Sequence, residues 1–89
     1  MTNKEFILDS LIDGLDIGES EEQIRKYFEF IKVKIDEEEL GKLINELIEE
    51  KLIYITKNKY LFDKSMYALT KKGREFWSIS QGNKHKETE

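Results

Sequence analysis

The sequence predicts an α+β fold, mainly helical: three helices, then a β-hairpin, then a short C-terminal helix. Three observations carry this prediction. Three apolar stripes with helical spacing each begin just behind an N-capping signal. Residues 52–69 then switch to short runs of branched and aromatic residues separated by polar breaks. Finally, 89 residues with no proline, cysteine, repeat or linker admit one domain around one small core.

The elements follow in order. Thr2 and Glu5 form a capping-box pair, in which each side chain satisfies the other residue's backbone N–H. Ile7, Leu8, Leu11, Ile12 and Leu15 share a face behind it, and Gly14 suits a helix end, so helix one is read over about residues 3–13. Ser20 and Gln23 repeat the box before Ile24, Tyr27, Phe28 and Ile31, which places helix two over about residues 20–32. Between the two, Leu15-Asp16-Ile17-Gly18 reads as a short extended bridge centred on Ile17. Asp36 and Glu39 open helix three, about residues 36–50, whose stripe is Leu40, Leu43, Ile44, Leu47 and Ile48. A hairpin is read over about residues 53–69. Its turn falls at Lys57-Asn58-Lys59, at Asp63-Lys64-Ser65, or in a longer loop spanning Tyr60 to Phe62. Thr70 caps a short last helix carrying Phe76 and Trp77, both read as covering the open end of the core. The domain is thus read as residues 1–81, with 82–89 as a disordered polar tail.

Composition excludes several functions. Without cysteine there is no disulfide scaffold, thiolate metal site or cysteine nucleophile. No apolar run approaches the roughly 18 residues of a membrane span, and the N-terminus is not a secretory signal, so a cytoplasmic protein is expected. His85, the one histidine, lies between lysines in the tail and has no partner for nucleophile–base chemistry. Residues 36–39 lack the alternating ligands and internal glycine of a calcium loop. No catalytic residue, metal or cofactor is expected.

Helix, bridge, helix, helix, hairpin, helix is the order of a winged helix: a three-helix bundle with a two- or three-stranded β wing and a short C-terminal helix. Tyr67-Ala68-Leu69-Thr70-Lys71-Lys72-Gly73-Arg74-Glu75-Phe76-Trp77 makes the similarity specific. This stretch resembles the Y-x-L-T-x-x-G-x-x-F/W exit from the wing in winged helix-turn-helix transcription regulators of the MarR and PadR kind. Glu50-Lys51-Leu52-Ile53-Tyr54 likewise resembles their E-K-x-G-L-I step from recognition helix into wing, here without the glycine. The resemblance implies that Leu69 closes the last strand, that Thr70 caps the next helix, and that Gly73 lets that helix sit against the sheet. It also implies a homodimer that binds duplex DNA, with helix three in the major groove and the wing on phosphates or in the minor groove.

Charge complicates that implication. The net charge of −4 is faint evidence against a nucleic-acid binder. Resolved along the chain, residues 1–50 carry 6 basic and 15 acidic side chains, a net of −9, and residues 51–89 carry 9 and 4, a net of +5. With its stripe turned inward, helix three shows Glu38, Lys42, Asn45, Glu46 and Glu49 outward, of which Lys42 and Asn45 are the side chains suited to bases or phosphates. The acidic first turn Asp36-Glu37-Glu38-Glu39 favours the helix dipole but opposes a polyanion. Lys57, Lys59 and Lys64 on the hairpin serve either as phosphate contacts or as protection against edge-to-edge sheet pairing. Lys71, Lys72 and Arg74 form a second basic group, placed against the dipole of their own helix. Phe30 and Val33, off the stripe of helix two, are read as the inner edge of a wide core face in preference to an exposed patch.

Two functions are therefore expected. The first is duplex-DNA binding through Lys42, Asn45, Lys57, Lys59, Lys64, Lys71, Lys72 and Arg74. The second is a protein-interaction module, in which Glu38, Glu46, Glu49, Phe30 and Trp77 meet a basic protein partner or mediate oligomerisation. An enzyme is not expected.

Overall fold

The structure, a computed structural model, describes residues 2–12, 18–56 and 65–88, with side chains to residue 81 in the last of these. The elements run α1 (Asn3–Leu11), β1 (Glu19–Ser20), α2 (Glu21–Phe30), α3 (Glu37–Glu49), β2 (Ile53–Ile55), β3 (Met66–Leu69) and α4 (Lys71–Thr88). The fold is α+β and mainly helical. Its antiparallel sheet has three strands in the order β1-β3-β2. Ile53, Tyr54 and Ile55 pair with Leu69, Ala68 and Tyr67, and on the other side Glu19 and Ser20 pair with Tyr67 and Met66.

Helix starts follow the capping signals. The boxes at Thr2–Glu5 and Ser20–Gln23 close reciprocally, and the Asp36 carboxylate accepts from the Glu39 N–H at 2.7 Å. Helix ends differ from expectation. α1 stops at Leu11 with Ile12 as its cap, and Gly14 and Ile17 lie outside the described residues. The bridge strand is Glu19–Ser20, so it runs directly into the N-cap of α2.

α2 and α3 end alike. At α2, the Val33 N–H donates to the Phe28 carbonyl at 3.0 Å and Lys32 N–H to that of Glu29 at 3.1 Å. At α3, Leu52 N–H donates to Leu47 and Lys51 N–H to Ile48, both at 3.0 Å. Each is a Schellman end, which requires a left-handed residue. That residue is a lysine in both cases, Lys32 at φ 61° and Lys51 at φ 62°.

The core lies where α1, α2, α3 and the sheet meet. Ile7, Leu8, Leu11, Ile24, Phe28, Leu40, Ile44, Leu47, Leu52, Ile53 and Leu69 form one buried cluster. Burying each large aliphatic or aromatic side chain contributes about 1.5–3 kcal/mol. The rings of Phe6 and Phe28 meet edge to face at 6.0 Å. Val33 packs against this cluster as expected. Phe30 does not: it is 82% exposed. Two residues beyond Phe28, it points about 200° around the helix, away from the core.

α4 is also longer than expected. It has 18 residues, and its backbone passes Gly82 and continues to Thr88 through the segment set apart as a polar tail. With no proline in the chain, nothing covalent stops it, and one interior glycine costs only about 1 kcal/mol. Trp77 is half-buried against the core, whereas Phe76 is 48% exposed and does not cover it.

Candidate nucleic-acid interface

α3 buries Leu40, Ile44 and Leu47, which fixes its rotation. Opposite them, Glu38, Lys42, Asn45 and Glu49 are exposed, and Glu46 is half-buried. Lys42 and Asn45, three residues apart, form one ridge of hydrogen-bonding side chains on this face. Asp36, Glu37, Glu38 and Glu39 are all exposed at the leading end. Arg25 of α2 pairs with Glu37 at 3.0 Å and offsets part of that charge. Lys57, Lys59 and Lys64 lie outside the described residues.

The second basic group has a definite place. Thr70 donates its hydroxyl to the Lys51 carbonyl at 2.6 Å and accepts from the Gly73 N–H at 2.9 Å, so it caps α4 and ties it to the end of α3. The Thr70 N–H donates to the Leu52 carbonyl at 3.0 Å. A methyl group on Gly73 would stand 2.0 Å from the Leu52 carbonyl oxygen, closer than any side chain tolerates. The two motifs quoted above, residues 50–54 and 67–77, therefore form one joint, in which the backbone of α4 presses on the backbone leaving α3.

Lys72 belongs to this joint. Its ammonium donates to the Glu50 carbonyl at 3.2 Å, at the C-terminal end of α3, where a cation complements the helix dipole. A local role that the sequence did not suggest thus exists for one of the three cations. Lys71 is exposed beside it, and Arg74 is half-buried. Lys51 is exposed as well; sequence reasoning quoted it only within the motif of residues 50–54 and did not single it out as a surface cation. Glu50 pairs with Lys4 at 2.9 Å, and this bond raises the pKa of the Lys4 ammonium.

Sequence reasoning also missed a polar contact between helices. The Asp9 carboxylate accepts from the Tyr27 hydroxyl and from the Trp77 indole N–H, the latter at 3.0 Å. One helical turn earlier, Glu5 accepts from the Ser80 hydroxyl at 2.6 Å. This bond, with those from Thr2, holds the Glu5 carboxyl below its ordinary pKa. The pairs 9–77 and 5–80 make α1 and α4 antiparallel neighbours. Trp77 is therefore an anchoring residue of α4, and Ile79 at 66% and Phe76 are the apolar side chains that α4 leaves exposed.

Two clefts flank this surface. One of about 800 Å³, between the end of α2 and the start of α3, is lined by Phe28, Val33 and Ile35. Arg25, Lys32 and Lys34 balance Glu29, Asp36 and Glu39 around it, so it favours neither sign of ligand charge. The other, about 460 Å³, includes Ser20, Glu21, Ser65 and Tyr67. Burial, and then Glu21, raise the pKa of the Tyr67 hydroxyl, so it stays neutral there. Among the described residues, no group of three or more His, Cys, Asp or Glu is placed to hold a metal ion. Also among them, no helix is long and apolar enough to cross a membrane. No protein-family model, curated protein or solved structure matches this chain.

Proposed function

We propose that this chain is a small winged helix-turn-helix protein, similar to MarR- and PadR-type transcription regulators, that binds duplex DNA. In this reading α2 and α3 form the helix-turn-helix, and β2 and β3 with the segment between them form the wing. The short β1 is the third strand beside them. The observation that carries the DNA reading is the Lys42–Asn45 ridge, exposed on the α3 face opposite its buried stripe and one step ahead of the β2–β3 pair. Such side chains contact bases and phosphates when a helix enters a major groove. Lys57, Lys59 and Lys64 then supply phosphate contacts from the wing. Titration of random duplex DNA with the protein at about 50 mM salt tests this, because non-specific binding is strongest there. Binding that weakens steeply with added salt is expected, and no binding at that salt sinks the reading.

A second reading, a protein-interaction module, draws on Phe30. A large aromatic 82% exposed, on a helix followed by the acidic start of α3, suits a basic protein partner. Under this reading Phe30→Ala abolishes capture of that partner and leaves any DNA affinity unchanged. Sedimentation across concentrations separates this from self-association.

A further inference from the structure

The charged surfaces of α3 are divided between its two ends. Its N-terminal turn exposes four carboxylates, Asp36, Glu37, Glu38 and Glu39, with Arg25 against one of them. At its C-terminal end the α3–α4 joint gathers Lys51, Lys71 and Lys72, all exposed. The Thr70–Lys51 and Lys72–Glu50 bonds hold them at that end. Of the acids near them among the described residues, Glu50 is engaged by Lys4, which leaves Glu49, one residue back, and Glu75, one turn along α4 from Lys71, as exposed carboxylates. The 13 residues of α3 put roughly 20 Å between the two ends. The Debye length at physiological salt is about 8 Å, so a polyanion at one end scarcely feels the other.

We infer that the duplex lies across the C-terminal end of α3, with Lys51, Lys71 and Lys72 on its phosphates and the acidic first turn directed away from it. This rests on the DNA reading above and adds to it a polarity and a residue, Lys51. The usual docking of a recognition helix, by its N-terminal residues, is the reverse. Here it would set four carboxylates against the phosphates. Lys51 is also held in the left-handed region, where glycine fits without strain. Lys72 has two further N–H donors beyond the one given to Glu50, since an ammonium carries three.

The test compares three proteins on one random duplex over a salt series, by anisotropy of a labelled duplex. Lys51→Gly with Lys71→Gln removes two of the cations and spares Lys72, whose ammonium also serves the joint. Lys51→Gly relieves the left-handed residue, so the pair is expected to fold. Each phosphate contact contributes about 0.9 to the slope of log affinity against log salt, so the pair should lose about 2. The third protein carries Glu37→Gln, Glu38→Gln and Glu39→Gln, and its affinity at physiological salt should rise less than threefold. An unchanged slope in the lysine pair overturns the proposal and leaves DNA binding standing. So does a gain from the glutamine triple that exceeds the loss from the lysine pair. No binding by the unaltered protein at about 50 mM salt removes the DNA reading and this proposal together.

Discussion

α4 is held to the rest of the molecule in two different ways. Near its start, backbone meets backbone: Gly73 lies against the Leu52 carbonyl, and Thr70 bonds residues 51 and 52. Further along, side chain meets side chain: Trp77 and Ser80 donate to Asp9 and Glu5 of α1. The first attachment is steric and admits almost no variation. The second is polar and partly solvated, so it can weaken by degrees. α4 is therefore fixed in direction by its first turn and only adjusted along its length by α1.

Breaking the steric attachment should cost most. Gly73→Ala puts a methyl group on the Leu52 oxygen, and forced overpacking of this kind costs about 3 kcal/mol or more. Urea denaturation reads it directly; a loss below about 1 kcal/mol would mean that the two segments can part without penalty. Asp9→Ala attacks the polar attachment. It removes the acceptor of the Trp77 N–H and of the Tyr27 hydroxyl, and the loss of such part-buried bonds costs about 1–3 kcal/mol in total. Asp9→Asn, which keeps an acceptor oxygen, should recover part of that loss in the same melts.

Smaller effects sharpen the contrast. Thr70→Ala removes the cap of α4 and its bond to Lys51, for a loss of about 1 kcal/mol. Lys51→Gly should act in the opposite direction and stabilise by up to about 1 kcal/mol, because glycine adopts the left-handed conformation without strain. The smallest effect concerns pH. The folded-state pKa of Glu5 is depressed, so its contribution is present above the unfolded value of about 4.3 and is lost as pH falls through the folded value. Glu5→Gln keeps an acceptor for Ser80 and for the cap but removes the titration. The stability gap between the two proteins should then narrow below about pH 4. A gap that does not change with pH would assign the effect to packing.

The same contrast explains how much of this molecule can be read from its sequence. The caps at Thr2, Ser20 and Asp36 are legible because a capping bond spans three residues. Of the joint, the Thr70 cap is legible from residue type, whereas the close seat of Gly73 follows only from the resemblance of residues 67–77 to the wing exit of winged-helix regulators. Helix ends are less so: Lys32 and Lys51 occupy positions where glycine is the expected signal. Asp9 is illegible, since its partners stand 18 and 68 residues away and nothing local distinguishes it from any surface acid. The placement of Phe30 rested on its apolar character, whereas its position, two residues from Phe28 and off the stripe of α2, already sets it on the far side of the helix. The charge division was visible as a total for each half, yet its arrangement around the two ends of α3 needed the joint.

The indole of Trp77 has a spectroscopic consequence. It is the only tryptophan in the chain, and a carboxylate lies against its N–H. Its emission therefore reports one event, the seating of the last helix on the first. If that helix lifts before the core opens, as marginal segments often do, the emission maximum will shift to the red at a lower denaturant concentration than the loss of far-ultraviolet ellipticity. The protein thus carries its own optical probe for partial opening, with no label attached.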